Sequence, residues 1–264
     1  MGAFVELSDP EWAMVEDLFD PPGRRGAPAR LPRRQMVDAM LFLARTGIQW
    51  RYLPSRYGPW EAVWQQWRRW RDSGVWARAM ARLARRIRVN RGRDAEPSMV
   101  MIDAQTVRGG RAGPTFHNAG GRGGRTIGTK RSVLIEILGL PLAVEADPAK
   151  PHDVRSGQAL LTRRLPELPR VQAVVADRGY VGLGKFATKH NLRLDIKQAP
   201  PVPPGQKKKF VPIAPLYKVE HIFARLGRWR RLSRCYEGTA ASARCWVEVA
   251  SVGYLFARLR TEPT

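Results

Sequence analysis

The spacing of apolar residues changes period once along the chain, near residue 97. Before that point it is helical. In "LSDPEWAMVEDLF", Ser8 precedes an apolar run and Glu11 follows three residues later, the capping-box pattern that opens a helix. A Pro/Gly/Arg linker, "DPPGRRGAPARLP", leads to a stripe of Val37, Met40, Leu41 and Ala44 that closes at Gly47. A further helix is predicted from about Pro59, with Trp60, Trp64, Trp67 and Trp70 on one face. "ARAMARLARRIRVNRGR" carries a basic helical pattern on to about residue 93. Indoles at helical spacing are read as large core fillers. Stacking on bases would need solvent-facing rings, and nothing in the pattern indicates them.

After residue 97 the elements become short and strand-like. "SMVMIDAQTVRGG" predicts a strand through Asp103. "GGRGGRTIGTKRSVLIEI" and "LGLPLAVEADPAK" predict two more around a tight turn at Gly139. There follow a helix in "DVRSGQALLTRRLPEL", a strand in "VQAVVAD", a short helix in "GLGKFATKHN" and a strand in "LRLDIKQ". A long helix over "PLYKVEHIFARLGRWRRLSRCYE" comes last. The order β-β-β-α-β-α-β-α is a mixed α/β arrangement. The expected division is a small helical domain over 1–95 and an α/β domain over 96–264.

Charge narrows the partner. Lys and Arg number 46 against 23 Asp and Glu, a formal net charge of +23 with a pI near 11.3, so a polyanion is the default ligand. Arg68, Arg69 and Arg71 fill one turn of the Trp-rich helix, and three helices with a basic final pair have the outline of a helix-turn-helix-like DNA-binding domain. A membrane partner is not expected. The most apolar segment, "VLIEILGLPLAVEA", is broken by Glu136, Gly139 and Pro141, far short of the ~18 residues a span needs. The N-terminus "MGAFVELSDPEW" has no signal-peptide pattern, and the expected location is cytoplasmic. Cys235 and Cys245 sit in apparently helical sequence and are read as packing residues.

Within so basic a chain, three acids stand out. Asp177 ends the apolar run Val171, Ala173, Val174, Val175, Ala176, and Asp103 interrupts "MVMIDAQTV" 74 positions earlier. A carboxylate among such residues normally has a cation, a metal or strong hydrogen bonds. Glu220 lies at the border of the apolar face made by Val219, Ile222, Phe223, Leu226 and Trp229, with Lys218, His221, Arg225 and Arg228 on the other side. Ala224 and Gly227 leave room beside it. Two strand aspartates and a helix glutamate suit Mg²⁺ or Mn²⁺, and in a cationic protein they outline two-metal phosphodiester chemistry. Other readings stay open: the aspartates as caps, Asp177 paired with Arg178 or Arg131, Glu220 paired with Arg225. Lys130 and Arg131 are candidate phosphate contacts, as is "QKKKF" at 206–210. His152 and Asp153 are read as a turn that caps the next helix, and Asp195 is set aside as a rival acid.

Several ordered blocks carry a resemblance. "LSDPEWAMVEDLF…MLFLARTGIQWRYLPSRYGPWEAVWQQWRRWRDSGVW", "GTKRSVLIEILGLPLAVEADPAKPHD", "VVADRGY" and "VEHIFARLGRWRRLSRCYE" resemble the DDE transposases of bacterial insertion sequences, in the group around insertion sequence five. The resemblance implies a ribonuclease H-like catalytic domain with Asp103, Asp177 and Glu220 as its D, D and E. It implies Mg²⁺-assisted attack of water at the element's ends, then attack of the freed 3′-hydroxyl on target DNA. It places Arg228 in the basic position about two turns after the glutamate and lets Lys218 stand in upstream. The implied partner is double-stranded DNA, both terminal inverted repeats and target, on which the protein would assemble as a homo-oligomer. A catalytically inactive DNA-binding protein and a general ribonuclease H-like nuclease are the competing readings.

Overall fold

The computed structural model describes residues 4–21, 31–109, 117–119, 126–149, 152–198 and 213–261. Its first five helices are α1 (Asp9–Ala13), α2 (Glu16–Phe19), α3 (Arg33–Thr46), α4 (Trp60–Ser73) and α5 (Val75–Asn90). The Ser8 N–H donates to the Glu11 carboxylate at 2.8 Å, so the capping box forms as expected. Gly47 ends α3 at φ 70°, a left-handed conformation that glycine adopts without a Cβ penalty.

Among the described residues, six strands then build one sheet: β1 (Met99–Arg108), β2 (His117–Ala119), β3 (Thr126–Glu136), β4 (Pro141–Pro148), β5 (Ala173–Asp177) and β6 (Arg193–Lys197). Helix α6 (Asp153–Arg164) precedes β5, and α7 (Gly184–Lys189) joins β5 to β6. The order is β2-β3-β1-β5-β6, with β4 also on β3. β3 is antiparallel to β1, β2 and β4, while β1, β5 and β6 run parallel. This mixed sheet with flanking helices is the expected ribonuclease H-like architecture.

Helix α8 (Tyr217–Gly227) and helix α9 (Ala240–Thr261) complete the chain. Here the structure departs from the sequence reading. The long helix stops at Gly227, because Trp229 turns into the core at 8% exposure and a 3-10 turn, Arg230–Leu232, follows. Cys235 lies outside any helix: it bridges to Gly109, its N–H donating to the Arg108 carbonyl at 2.9 Å. Both cysteines are buried and free, in keeping with packing roles.

One apolar cluster runs from Leu7 in the helical segment to Phe256 in α9. Within it Trp67 of α4 stacks on Trp246 of α9 with centroids 5.2 Å apart, and Trp50 lies 5.7 Å from the same ring. Trp67, Trp70 and Trp76 are buried, and Trp60 and Trp64 pack partly against the cluster, so the indoles are core residues. Among the described residues, no helix is long and apolar enough to cross a membrane.

Candidate active site

Strand pairing sets the two aspartates side by side. β1 and β5 are in register at Met99 with Ala173, Val100 with Val174 and Met101 with Val175. That offset is the one separating Asp103 from Asp177, so the two lie level on adjacent parallel strands. Side chains alternate along β1, and Asp103 and Gln105 line a cavity of about 610 Å³. Glu220, Ala224 and Gly227 of α8 form the facing wall, with Arg131 of β3 beside them. The small residues at 224 and 227 thus do open space next to the glutamate.

Electrostatics connect these acids. Burial pushes Asp103 up to about 7; the Ala104 N–H, 2.7 Å from its Oδ1, works against this, and the carboxylates of Asp177, Asp153 and Glu220 add to it. Asp177 and Glu220 are exposed, and Asp177 accepts a hydrogen bond from the Gly179 N–H at 2.9 Å. Asp177 thus serves as a strand-end cap. Among the described residues, no three His, Cys, Asp or Glu side chains converge closely enough to hold an ion. The donor chemistry still fits a hard divalent cation, since the acids offer only oxygen.

Asp153 is the acid that the sequence reading undervalued. His152 is the N-cap of α6, its ring accepting from the Val154 N–H at 3.5 Å, while Asp153 pairs with the buried Lys130 ammonium at 2.6 Å. No local signal announces this, because the pair joins β3 to α6 across 23 residues. Asp195 pairs with Lys197 at 2.8 Å.

The cations separate into two groups. Lys130 and Arg131, read from sequence as phosphate contacts, are both 7% exposed and committed inward. Adjacent strand residues face opposite ways, so Lys130 meets Asp153 while Arg131 donates from Nη1 to the Leu232 carbonyl at 2.6 Å. Arg71 is likewise occupied, by Asp72 at 2.8 Å and by the Ser242 hydroxyl of α9 at 3.1 Å. Lys218 is half-buried with its ammonium over the Tyr217 ring. Arg68, Arg69, Arg225 and Arg228 are exposed. Arg225 and Arg228 line a second groove of about 330 Å³, away from the acids, together with Arg45 of α3 and Tyr254 of α9. Residues 206–210 lie outside the described residues.

Similarity to known proteins accords with this geometry. The "Uncharacterized protein y4sN" of Sinorhizobium fredii (strain NBRC 101917 / NGR234) is 36% identical over 103 residues, 39% of this chain and 75% of that protein. The "Insertion element IS402 uncharacterized 16.2 kDa protein" of Burkholderia cepacia is 33% identical over 113 residues, 40% of this chain and 76% of that protein. Among solved structures, "Mos1 transposase paired-end complex with left transposon end" is 11% identical with a TM-score of 0.32, covering 91% of this chain and 80% of that one. "Crystal structure of the Mos1 Strand Transfer Complex" is 12% identical with a TM-score of 0.33, covering 91% and 79%. Both superpositions are loose. The family described as "Putative transposase of IS4/5 family" matches residues 7–80, and "Transposase DDE domain" matches residues 94–252. The second match runs over more than half of the chain and takes in both strand aspartates and the helix glutamate, so the chain belongs to the DDE transposases, enzymes that move DNA.

Proposed function

We propose that Asp103, Asp177 and Glu220 hold Mg²⁺, with Mn²⁺ as a substitute, and that the protein cuts at the ends of its insertion sequence and joins the freed 3′-hydroxyl to target DNA. The observation that carries this reading is the level placement of Asp103 and Asp177 on adjacent strands, with Asp103 lining a cavity whose facing wall bears Glu220. A divalent ion bound there would activate the attacking oxygen and offset charge on the leaving one. The chain's own residues do the rest. Asp103, raised to about 7, gives up a proton more easily once positive charge is near. Ala224 and Gly227 keep the wall beside Glu220 low enough for a DNA strand to approach.

Arg45, Arg225 and Arg228 extend the binding surface. Among the described residues none of the three has an ion-pair partner, so their charge is available to phosphates; Arg68 and Arg69 add a further exposed pair on α4. Two element ends must be held for strand transfer, so the working form is a homo-oligomer on DNA, acting in the cytoplasm.

The test is Mg²⁺-dependent cleavage of a labelled duplex carrying the flanking inverted repeat, comparing wild type with Asp177→Asn. Cleavage at the repeat's end that disappears in the variant while DNA binding persists supports the reading. Identical behaviour of the two proteins, or no metal-dependent cleavage by wild type, would leave a DNA-binding protein whose Asp177 is a cap for the Gly179 N–H.

A further inference from the structure

Among the described residues β4 pairs with β3 alone, so no further strand closes its outer edge. Along that edge α5, α6 and α9 enclose a groove of about 870 Å³, larger than the 610 Å³ cavity beside the acids. It shares no lining residue with that cavity or with the groove of Arg45, Arg225 and Arg228. From β1 to β4 is two strand spacings, about 10 Å across the sheet.

Arginine dominates the polar lining. Arg78, Arg82 and Arg85 recur at intervals of four and three along α5 and form one stripe, while Arg163 and Arg164 of α6 and Arg244 of α9 supply the rest. Only two carboxylates, Glu167 and Glu248, line the groove with these six guanidinium groups. Arg163 is held below its ordinary range, first by burial and then by the like charges of Arg244 and Arg164, a sign of how closely the cations are gathered. Carboxylates outside the groove engage some of them: Asp17 meets Arg82, Glu96 meets Arg85 and Glu145 meets Arg163. Arg78 donates to the Ser73 carbonyl at 2.7 Å and pairs with no carboxylate among the described residues. A guanidinium has five N–H donors and a carboxylate takes two at most, so donors remain for a second anion. Pairs as exposed as Arg82–Asp17, at 41% and 56%, are weak and yield to a phosphate. From Arg78 to Arg85 the stripe covers about 10 Å of helix, a length over which one strand of DNA carries about three phosphates.

We infer that this groove holds the sugar–phosphate backbone of a DNA segment away from the reacting bond, by charge and without reading sequence. Phosphate oxygens accept from the α5 stripe on one wall and from the arginines of α6 and α9 on the other. The inference rests on DNA being the partner and not on the metal reading, since none of these residues belongs to the acidic cavity.

The experiment uses the full-length protein in EDTA and a duplex lacking the inverted repeat, with binding measured across a salt series. Arg78→Gln/Arg82→Gln/Arg85→Gln should lower the salt slope of log K by about 3, and Arg78→Gln alone by about 1. Arg78→Gln gives up only a bond to a nearby carbonyl, so it carries the test if the triple variant melts early. A control, Arg51→Gln/Arg170→Gln/Arg193→Gln, removes the same charge from scattered exposed positions and should change the slope by less than about 1. Wild-type slopes in Arg78→Gln and the triple variant would overturn the inference, as would an equal fall in the control. A triple variant that keeps its DNA slope but loses inorganic triphosphate would mark a site for a free polyphosphate, and one that changes only in sedimentation without DNA would mark a contact between copies. Either result overturns it too. Wild type without salt-dependent DNA binding would instead sink the DNA reading itself.

Discussion

Arg131 and Arg228 carry the same charge and belong to different economies of the fold. Arg131 is buried and gives its Nη1 to the Leu232 carbonyl, fastening β3 to the turn after α8. Arg228 is exposed on the groove shared with Arg45. Arg228→Gln should therefore weaken DNA binding evenly and lower the salt slope of log K by about 1, as loss of one phosphate contact does. Arg131→Met should leave that slope alone and reduce stability by about 1–3 kcal/mol through the carbonyl it abandons. Filter binding across a salt series and thermal melts separate the two. Glu248 of α9 gives a pH signature. Burial pushes it up to about 7, although Arg244, Arg164 and Arg163 pull it down. A carboxyl raised from its ordinary 4.5 stabilises the fold fully below that value, and the contribution is lost as pH rises through about 7. Glu248→Gln should thus gain on wild type between pH 5 and pH 8, by at most about 3 kcal/mol. Parallel pH profiles of unfolding for the two proteins would count against it. Asp103 and Asp177 are legible in the sequence because a carboxylate in an apolar run is costly. The Lys130–Asp153 pair is not, since it depends on α6 lying against the sheet.

Among the elements, α8 and α9 differ most in how they read. α8 shows its amphipathic period, and Glu220 could be placed at the edge of its apolar face. α9 is buried around most of its circumference, from Ala243 through Phe256, and so presents no such period. The apolar pattern overextends the end of α8 for a related reason: Trp229 continues the period, yet it is the residue that leaves the helix. Gly253 makes that exit possible. A Cβ there would overlap the Trp229 indole and sit 3.1 Å from Leu41. Gly253→Ala should push the indole out, lowering stability by about 1–3 kcal/mol and loosening the groove lined by Arg45, Arg225 and Arg228. Melting temperature and Trp fluorescence report both effects.

At the scale of the molecule, the change of pattern near residue 97 marks where helices give way to strands, but the apolar cluster continues across it. α5 packs on both α9 and β4, and α4 reaches α9 through Trp67 and Trp246. Residues 96–264 alone would expose Trp246 and the β4 face, so that fragment should lack a cooperative melt, whereas the full chain should unfold in one transition by near- and far-UV circular dichroism. Two separated transitions in the full chain would refute this. The Trp67–Trp246 contact joins residues 179 positions apart, which is why periodicity, a local quantity, reveals the elements and not their joining.

The register of β1 on β5 has a further consequence. Asp103 and Asp177 are levelled by pairing, so the number of residues between them is free to change. An insertion at the exposed Pro166 or Glu167, between α6 and β5, would alter the spacing of 74 and leave the acids abreast. One residue inserted between Met101 and Asp103 would instead turn the aspartate to the opposite face of the sheet. Homologous chains can therefore drift in length between the two aspartates, while the two strands that carry them cannot gain or lose a single step.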